Sequence, residues 1–139
     1  METIKSFTDI SQSKKLAEIL PLESADMHYC LEDRDVTTGY EIGISPFIKA
    51  KRFEGKCNIV DVQPAWSLAA LLGVLPNNKH ITTTLLRGGW KIEPVEYIDK
   101  WFCDYEDEDS PYRDFTVSAD NPIDACVAMI EKLHELNLL

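Results

Sequence analysis

Ile98-Asp99-Lys100-Trp101-Phe102-Cys103-Asp104-Tyr105 decides the fold class. Trp101, Cys103 and Tyr105 alternate with Lys100 and Asp104, the two-residue period of a strand with one face in the core. Upstream, His80 to Arg87 is rich in Thr and Leu, and Gly88-Gly89 offers a two-residue hairpin turn because both positions accept positive φ. Trp90 to Tyr97 reads as the returning strand, with Pro94 cutting into it. Downstream, Glu106-Asp107-Glu108-Asp109-Ser110-Pro111 reads as a charged loop, and Tyr112 to Ser118 as a further strand with Phe115 and Val117 inward. The run predicts a meander of about four antiparallel strands.

The end of the chain predicts a long helix. Asp120 or Asn121 can cap it, Pro122 suits its first turn, and Asp124 suits the positive end of the helix dipole. Ile123, Cys126, Val127, Ile130 and Leu133 recur at helical spacing, with Asp124, Glu131 and Glu135 turned away from them.

Towards the N-terminus, Ser11 to Leu20 predicts a first helix capped by Asp9 or Ser11 and stopped by Pro21. Ala25 to Leu31 predicts a short strand, and Glu32-Asp33-Arg34-Asp35 a turn. Tyr40, Ile42 and Ile44 alternate until Pro46 interrupts, as in an edge strand. Pro64 to Leu75 is full of strong helix formers and apolar nearly all round. It predicts a core helix beginning at Pro64 and stopped by Pro76-Asn77-Asn78. The whole reads as an α+β fold: an antiparallel sheet of about four or more strands with two to three helices, in a single domain over residues 1–139.

The composition narrows the function classes. The formal net charge is −10, and it is uneven: residues 101–139 hold 10 acids and 2 bases, whereas residues 1–100 hold 14 and 12. Nucleic acids and anionic membranes are poor partners for such a C-terminal third, because binding them relies on Lys and Arg. No run approaches the roughly 20 apolar residues of a membrane span, and Met1-Glu2-Thr3-Ile4-Lys5 lacks the features of a secretory signal. The expected compartment is therefore the cytoplasm. Cys30, Cys57, Cys103 and Cys126 form no Cys-x-x-Cys pair and read as buried free thiols.

No motif commits the chain to a reaction or a cofactor. His28-x-Cys30 puts two potential metal ligands on one strand face, but a third and fourth are not indicated. The acids from Asp104 to Asp109 lack the glycine and terminal glutamate spacing of a calcium loop. His28, His80 and His134 accompany no nucleophile elbow, and Gly88-Gly89 opens no helix as a phosphate loop does. Lys49, Lys51, Arg52 and Lys56, with Phe53 among them, form the only basic cluster, read as a solvated strand or loop with nucleic-acid contact as its alternative. Trp66 and Trp101 read as core. Trp90, beside the expected turn, reads as exposed. The candidate partner surface is accordingly Trp90 with Asp104, Glu106, Asp107, Glu108 and Asp109.

Pro64-Ala-Trp-Ser-Leu-Ala-Ala-Leu-Leu-Gly-Val-Leu-Pro76 and Ala119-Asp-Asn-Pro-Ile-Asp-Ala-Cys-Val-Ala-Met-Ile-Glu-Lys-Leu-His-Glu-Leu-Asn-Leu-Leu139 cover about a quarter of the chain. They resemble segments of small uncharacterised proteins from gut-bacterial genomes, prophages and conjugative elements. That resemblance implies an accessory role on a mobile element and carries over no functional residue. The leading expectation is a non-enzymatic accessory or interaction protein with a protein partner. The alternatives are a ligand-binding domain or enzyme with a cleft holding some of His28, Asp104, Tyr105 and Tyr112, and an acidic DNA mimic.

Overall fold

The computed structural model describes residues 5–33, 39–110 and 114–139. The expected positions Arg34, Asp35, Pro111 and Tyr112 lie outside them. The described residues form an α+β fold of four α-helices and two three-stranded antiparallel sheets. They pack into two compact units, Ser6–Val74 and Leu75–Leu139 with Lys5. None of the described helices is long and apolar enough to cross a membrane.

In the first unit, helix α1 (Ile10–Ala17) starts where Asp9 can cap it: the Gln12 N–H donates to Asp9 Oδ1 at 2.8 Å and the Asp9 N–H donates to Gln12 Oε1 at 3.1 Å. This reciprocal pair satisfies two of the amides that every helix start leaves open. Strands β1 (Met27–Glu32), β2 (Glu41–Gly43) and β3 (Ile59–Ala65) make a sheet in the order β2-β1-β3, with helices α2 (Phe47–Lys51) and α3 (Leu68–Val74) following β2 and β3. The stretch before Pro46 is the expected edge strand. Pro46 then takes the N-cap of α2, so the basic run Lys49–Lys56 occupies a short helix and the turns after it, not a strand.

Pro64 belongs to β3, opposite His28, and does not open a helix. β3 is an edge strand, where a residue without an N–H leaves no ladder bond broken. The helix therefore begins four residues later, at Leu68, with the Ala70 N–H donating to Ser67 Oγ at 3.2 Å. Nor is α3 the core element: within it only Leu71 is buried, while Leu72 is exposed. The buried centre is the end of β3 and Trp66 beyond it. Thr8 and Trp66 exchange two bonds there, Thr8 N–H to the Trp66 carbonyl at 3.0 Å and Trp66 N–H to Thr8 Oγ1 at 3.1 Å. Trp66 Nε1 donates to Ser24 Oγ at 2.9 Å, and the Tyr29 hydroxyl donates to the Thr8 carbonyl at 2.6 Å. Every one of these polar groups is paired, as burial demands.

In the second unit, β4 (Ile81–Lys91), β5 (Glu96–Asp107) and β6 (Phe115–Ala119) form a meander in sequence order, followed by α4 (Pro122–Glu135). Gly88-Gly89 is not its turn. Both glycines lie inside β4, where the register shifts between Arg87 and Gly89, and the chain reverses over Ile92–Val95. Gly88 has φ 78°, and a Cβ there would lie 1.7 Å from the Tyr97 hydroxyl, so the position needs glycine twice over. The expected charged loop is likewise shorter, because Glu106 and Asp107 still pair with Thr82 and Ile81.

Cys103 and Tyr105 are buried as the alternation requires, but Trp101 is only partly so. Among the thiols, Cys103 and Cys126 are buried, Cys30 is partly exposed and Cys57 is exposed. The expectation of four buried cysteines therefore fails for two of them. Helix α4 has Asn121 as its cap, accepting from the Asp124 N–H at 2.8 Å, and Pro122 in its first turn. Its buried residues include all five of the expected stripe together with Ala125 and Met129. Lys5 Nζ reaches Asp124 at 2.9 Å.

Two predictions follow from these contacts. Asn121→Ala should lower stability by about 1 kcal/mol in urea unfolding, since it deletes the cap of the element that covers this unit's core. Tyr40 donates to Asp61, which together with burial pushes its hydroxyl up to about 12. A raised folded value favours the fold below the unfolded value and loses that contribution as pH climbs from about 10 to about 12. Absorbance titration should find one tyrosine ionising near 12, and Asp61→Asn should return it towards 10.

Candidate functional site: the β4–β5 hairpin surface

Alternation along β5 sends Cys103 and Tyr105 under α4 and leaves Phe102 and Asp104 on the opposite face of the sheet. On β4, Leu86 stands across from Phe102 and Thr84 across from Asp104. Leu86, Trp90, Ile98, Phe102 and Asp104 line one open groove of about 340 Å³. Asp104 is oriented by Thr116, whose hydroxyl donates to Oδ1 at 2.7 Å.

Beyond the groove, the hairpin end is strongly apolar. Trp90 is 71% exposed, Ile92 80% and Val95 79%, with Leu86 and Tyr97 about half exposed. Trp90 and Tyr97 meet edge to face with ring centroids 5.3 Å apart, and Tyr97 lies over Gly88. Holding two aromatic rings against each other in water fixes their rotamers, which lowers the entropy lost when a surface closes over them.

The six residues singled out from sequence do not form one patch. Trp90 and Asp104 share the groove. Glu106 and Asp107, at the far end of β5, and Glu108 and Asp109, in the turn beyond, lie elsewhere. Trp90 pairs with Tyr97 and Ile81 with Asp107, so the tryptophan and the acidic end are ten β5 residues apart, roughly 30 Å at strand spacing. Glu106, Asp107 and Glu108 line a polar hollow with Lys79, His80 and Asp114. His80 Nδ1 approaches Asp109 at 3.4 Å, and the Asp107 N–H donates to Asp114 at 2.9 Å. Among the described residues no group of three or more His, Cys, Asp or Glu is placed to hold a metal ion.

The described residues expected about a cleft, His28, Asp104 and Tyr105, line no shared cavity. Asp104 and Tyr105 sit on opposite faces of β5, His28 belongs to the other unit, and Tyr112 lies outside the described residues. His28 and Cys30 do line one cavity, as their spacing suggested. Burial, with Glu32 and Glu41 nearby, raises the Cys30 thiol, which keeps it protonated and weakly nucleophilic. His28 Nδ1 donates to the Ser45 carbonyl at 2.8 Å.

Sequence reasoning found Trp90 but missed Leu86, Ile92, Val95 and Tyr97. The density of apolar residues on both sides of Glu93-Pro94 was the available sign, masked by the assignment of the turn to Gly88-Gly89. No family model, curated protein or solved structure matches the chain.

Thiol chemistry offers a direct check on this arrangement. Under native conditions an aromatic disulfide reagent should label Cys57 fast and Cys30 more slowly. Cys103 and Cys126, both fully buried, should react only after denaturant is added.

Proposed function

We propose that this chain is a non-enzymatic protein-interaction module whose β4–β5 hairpin docks into an apolar cleft of another protein. The observation that carries this reading is the concentration of Leu86, Trp90, Ile92, Val95 and Tyr97 on one hairpin end, each half exposed or more. Soluble monomers rarely leave so many large apolar side chains together in water unless a surface covers them. Tryptophan and tyrosine are also the side chains most often responsible for binding energy at interfaces.

β4 is the outer strand of its sheet, 11 residues long and interrupted by the register shift between Arg87 and Gly89. Charge selects the kind of partner. Asp104 and Lys91 both border the groove, so a complementary partner rim carries charge of both signs. A second copy of the chain would bring another net charge of −10 instead.

The test is affinity capture from a lysate of the native cell, with nuclease added, at low and high salt, using wild type beside Trp90→Ala and Ile92→Ser. Both substitutions fall at exposed positions and should leave the circular dichroism spectrum unchanged. A stoichiometric partner should be retained by wild type and weakened by about 2 kcal/mol by Trp90→Ala, roughly thirtyfold. Capture that survives both substitutions would remove the hairpin from the interface. A dimer in light scattering that Trp90→Ala dissociates would make a second copy the occupant and overturn the choice of partner.

A further inference from the structure

The cavity in the first unit lies between β1, the loop before α2, α2 itself and the start of β3. It measures about 320 Å³, at the lower end of the range for small-molecule sites. Its lining is mostly apolar: Ala50, Phe53, Ile59 and Val62, with the protonated Cys30 thiol among them. Two polar groups converge on it, the His28 imidazole and the Lys49 ammonium. This is the usual make-up of a ligand pocket, an apolar body with a few polar groups that fix orientation.

The charges around it are not symmetric. Lys49 is on α2 and Arg52 and Lys56 follow it. Among the described residues none of the three has an ion-pair partner, whereas Lys51 pairs with Glu54 at 2.5 Å. Among the described residues Lys49, Arg52 and Lys56 thus form a cluster of cations without ion-pair partners. Glu32 and Glu41 lie towards Cys30, making that end of the cavity unfavourable for an anion. A bound molecule is therefore oriented by charge. Its anionic group meets Lys49, and its neutral apolar body runs along Ala50 and Val62 towards Cys30. Phe53, half exposed, completes the apolar lining.

We propose that this cavity binds a small amphipathic carboxylate, an aromatic or short-chain acid, with the carboxylate held by Lys49 and the apolar body enclosed by Ala50, Phe53, Ile59 and Val62. The site is independent of the hairpin surface, and either can fail without the other.

The experiment uses the full chain labelled with ¹⁵N, titrated separately with benzoate, hexanoate and neutral benzyl alcohol at constant pH and ionic strength. Both acids should give saturable shifts concentrated at residues 28–30, 45–53 and 59–62. Benzyl alcohol should bind about tenfold more weakly, the value of one charge-assisted contact. Lys49→Met, at an exposed position, should weaken benzoate by about tenfold and leave benzyl alcohol unchanged. Phe53→Ala should weaken all three probes. Absence of saturable shifts with either acid would overturn the proposal. So would equal binding of benzoate and benzyl alcohol, or shifts confined to residues outside the cavity.

Discussion

Much of the second unit depends on one constraint: Cys103 and Tyr105 of β5 are buried beneath α4. A strand has a period of two, so fixing those two side chains inward fixes Phe102 and Asp104 outward. Pairing with β4 then puts Leu86 beside Phe102, and the apolar floor of the groove follows without further choice. Helix α4 makes the constraint firm. Its Asn121 cap and Pro122 set where it starts, and its apolar stripe sets which side faces the sheet. A one-residue slip in β5 would exchange buried Cys103 and Tyr105 for Phe102 and Asp104, burying a carboxylate and exposing the core.

The first unit is organised by a buried polar junction instead. Thr8 bonds Trp66 twice, accepts from Tyr29, and its hydroxyl lies 2.8 Å from Ser13 Oγ. These bonds tie the segment before α1 to the end of β3 and to β1. Removing the Thr8 hydroxyl would take a buried partner from both the Trp66 N–H and the Ser13 hydroxyl, which costs more than the bonds themselves contributed. The cavity of the first unit lies on the other part of β3, near Ile59 and Val62, where the lining is mostly apolar.

What could be read in the sequence depended on how local the deciding physics was. Helix α4 and strand β5 were legible because cap, proline and period all act within a few residues. Pro64 misled because its two tolerated settings, a first helical turn and an edge strand, look alike until the partner strand is known. Here the partner is β1, through His28. Gly88-Gly89 misled for a similar reason. Positive φ suits a hairpin turn and a register shift equally, and only the pairing of Trp90 with Tyr97 separates them. Of the six candidate surface residues, Trp90 and Asp104 line one groove, although Trp90 pairs with Tyr97 and Asp104 with Thr84. The other four were grouped by charge alone, which carries no information about distance along a strand.

The exposed hairpin end also bears on the colloidal behaviour of the free chain. A cluster of tryptophan, isoleucine and valine in water attracts its like, whereas a net charge of −10 keeps copies apart. That repulsion reaches only about 8 Å at physiological ionic strength and shortens as salt rises. The acidity of the last third therefore acts as a dispersant for the apolar end of the same sheet. Two ranges are at work: charge governs the approach of two copies, and contact between hairpins governs what happens once that barrier is screened.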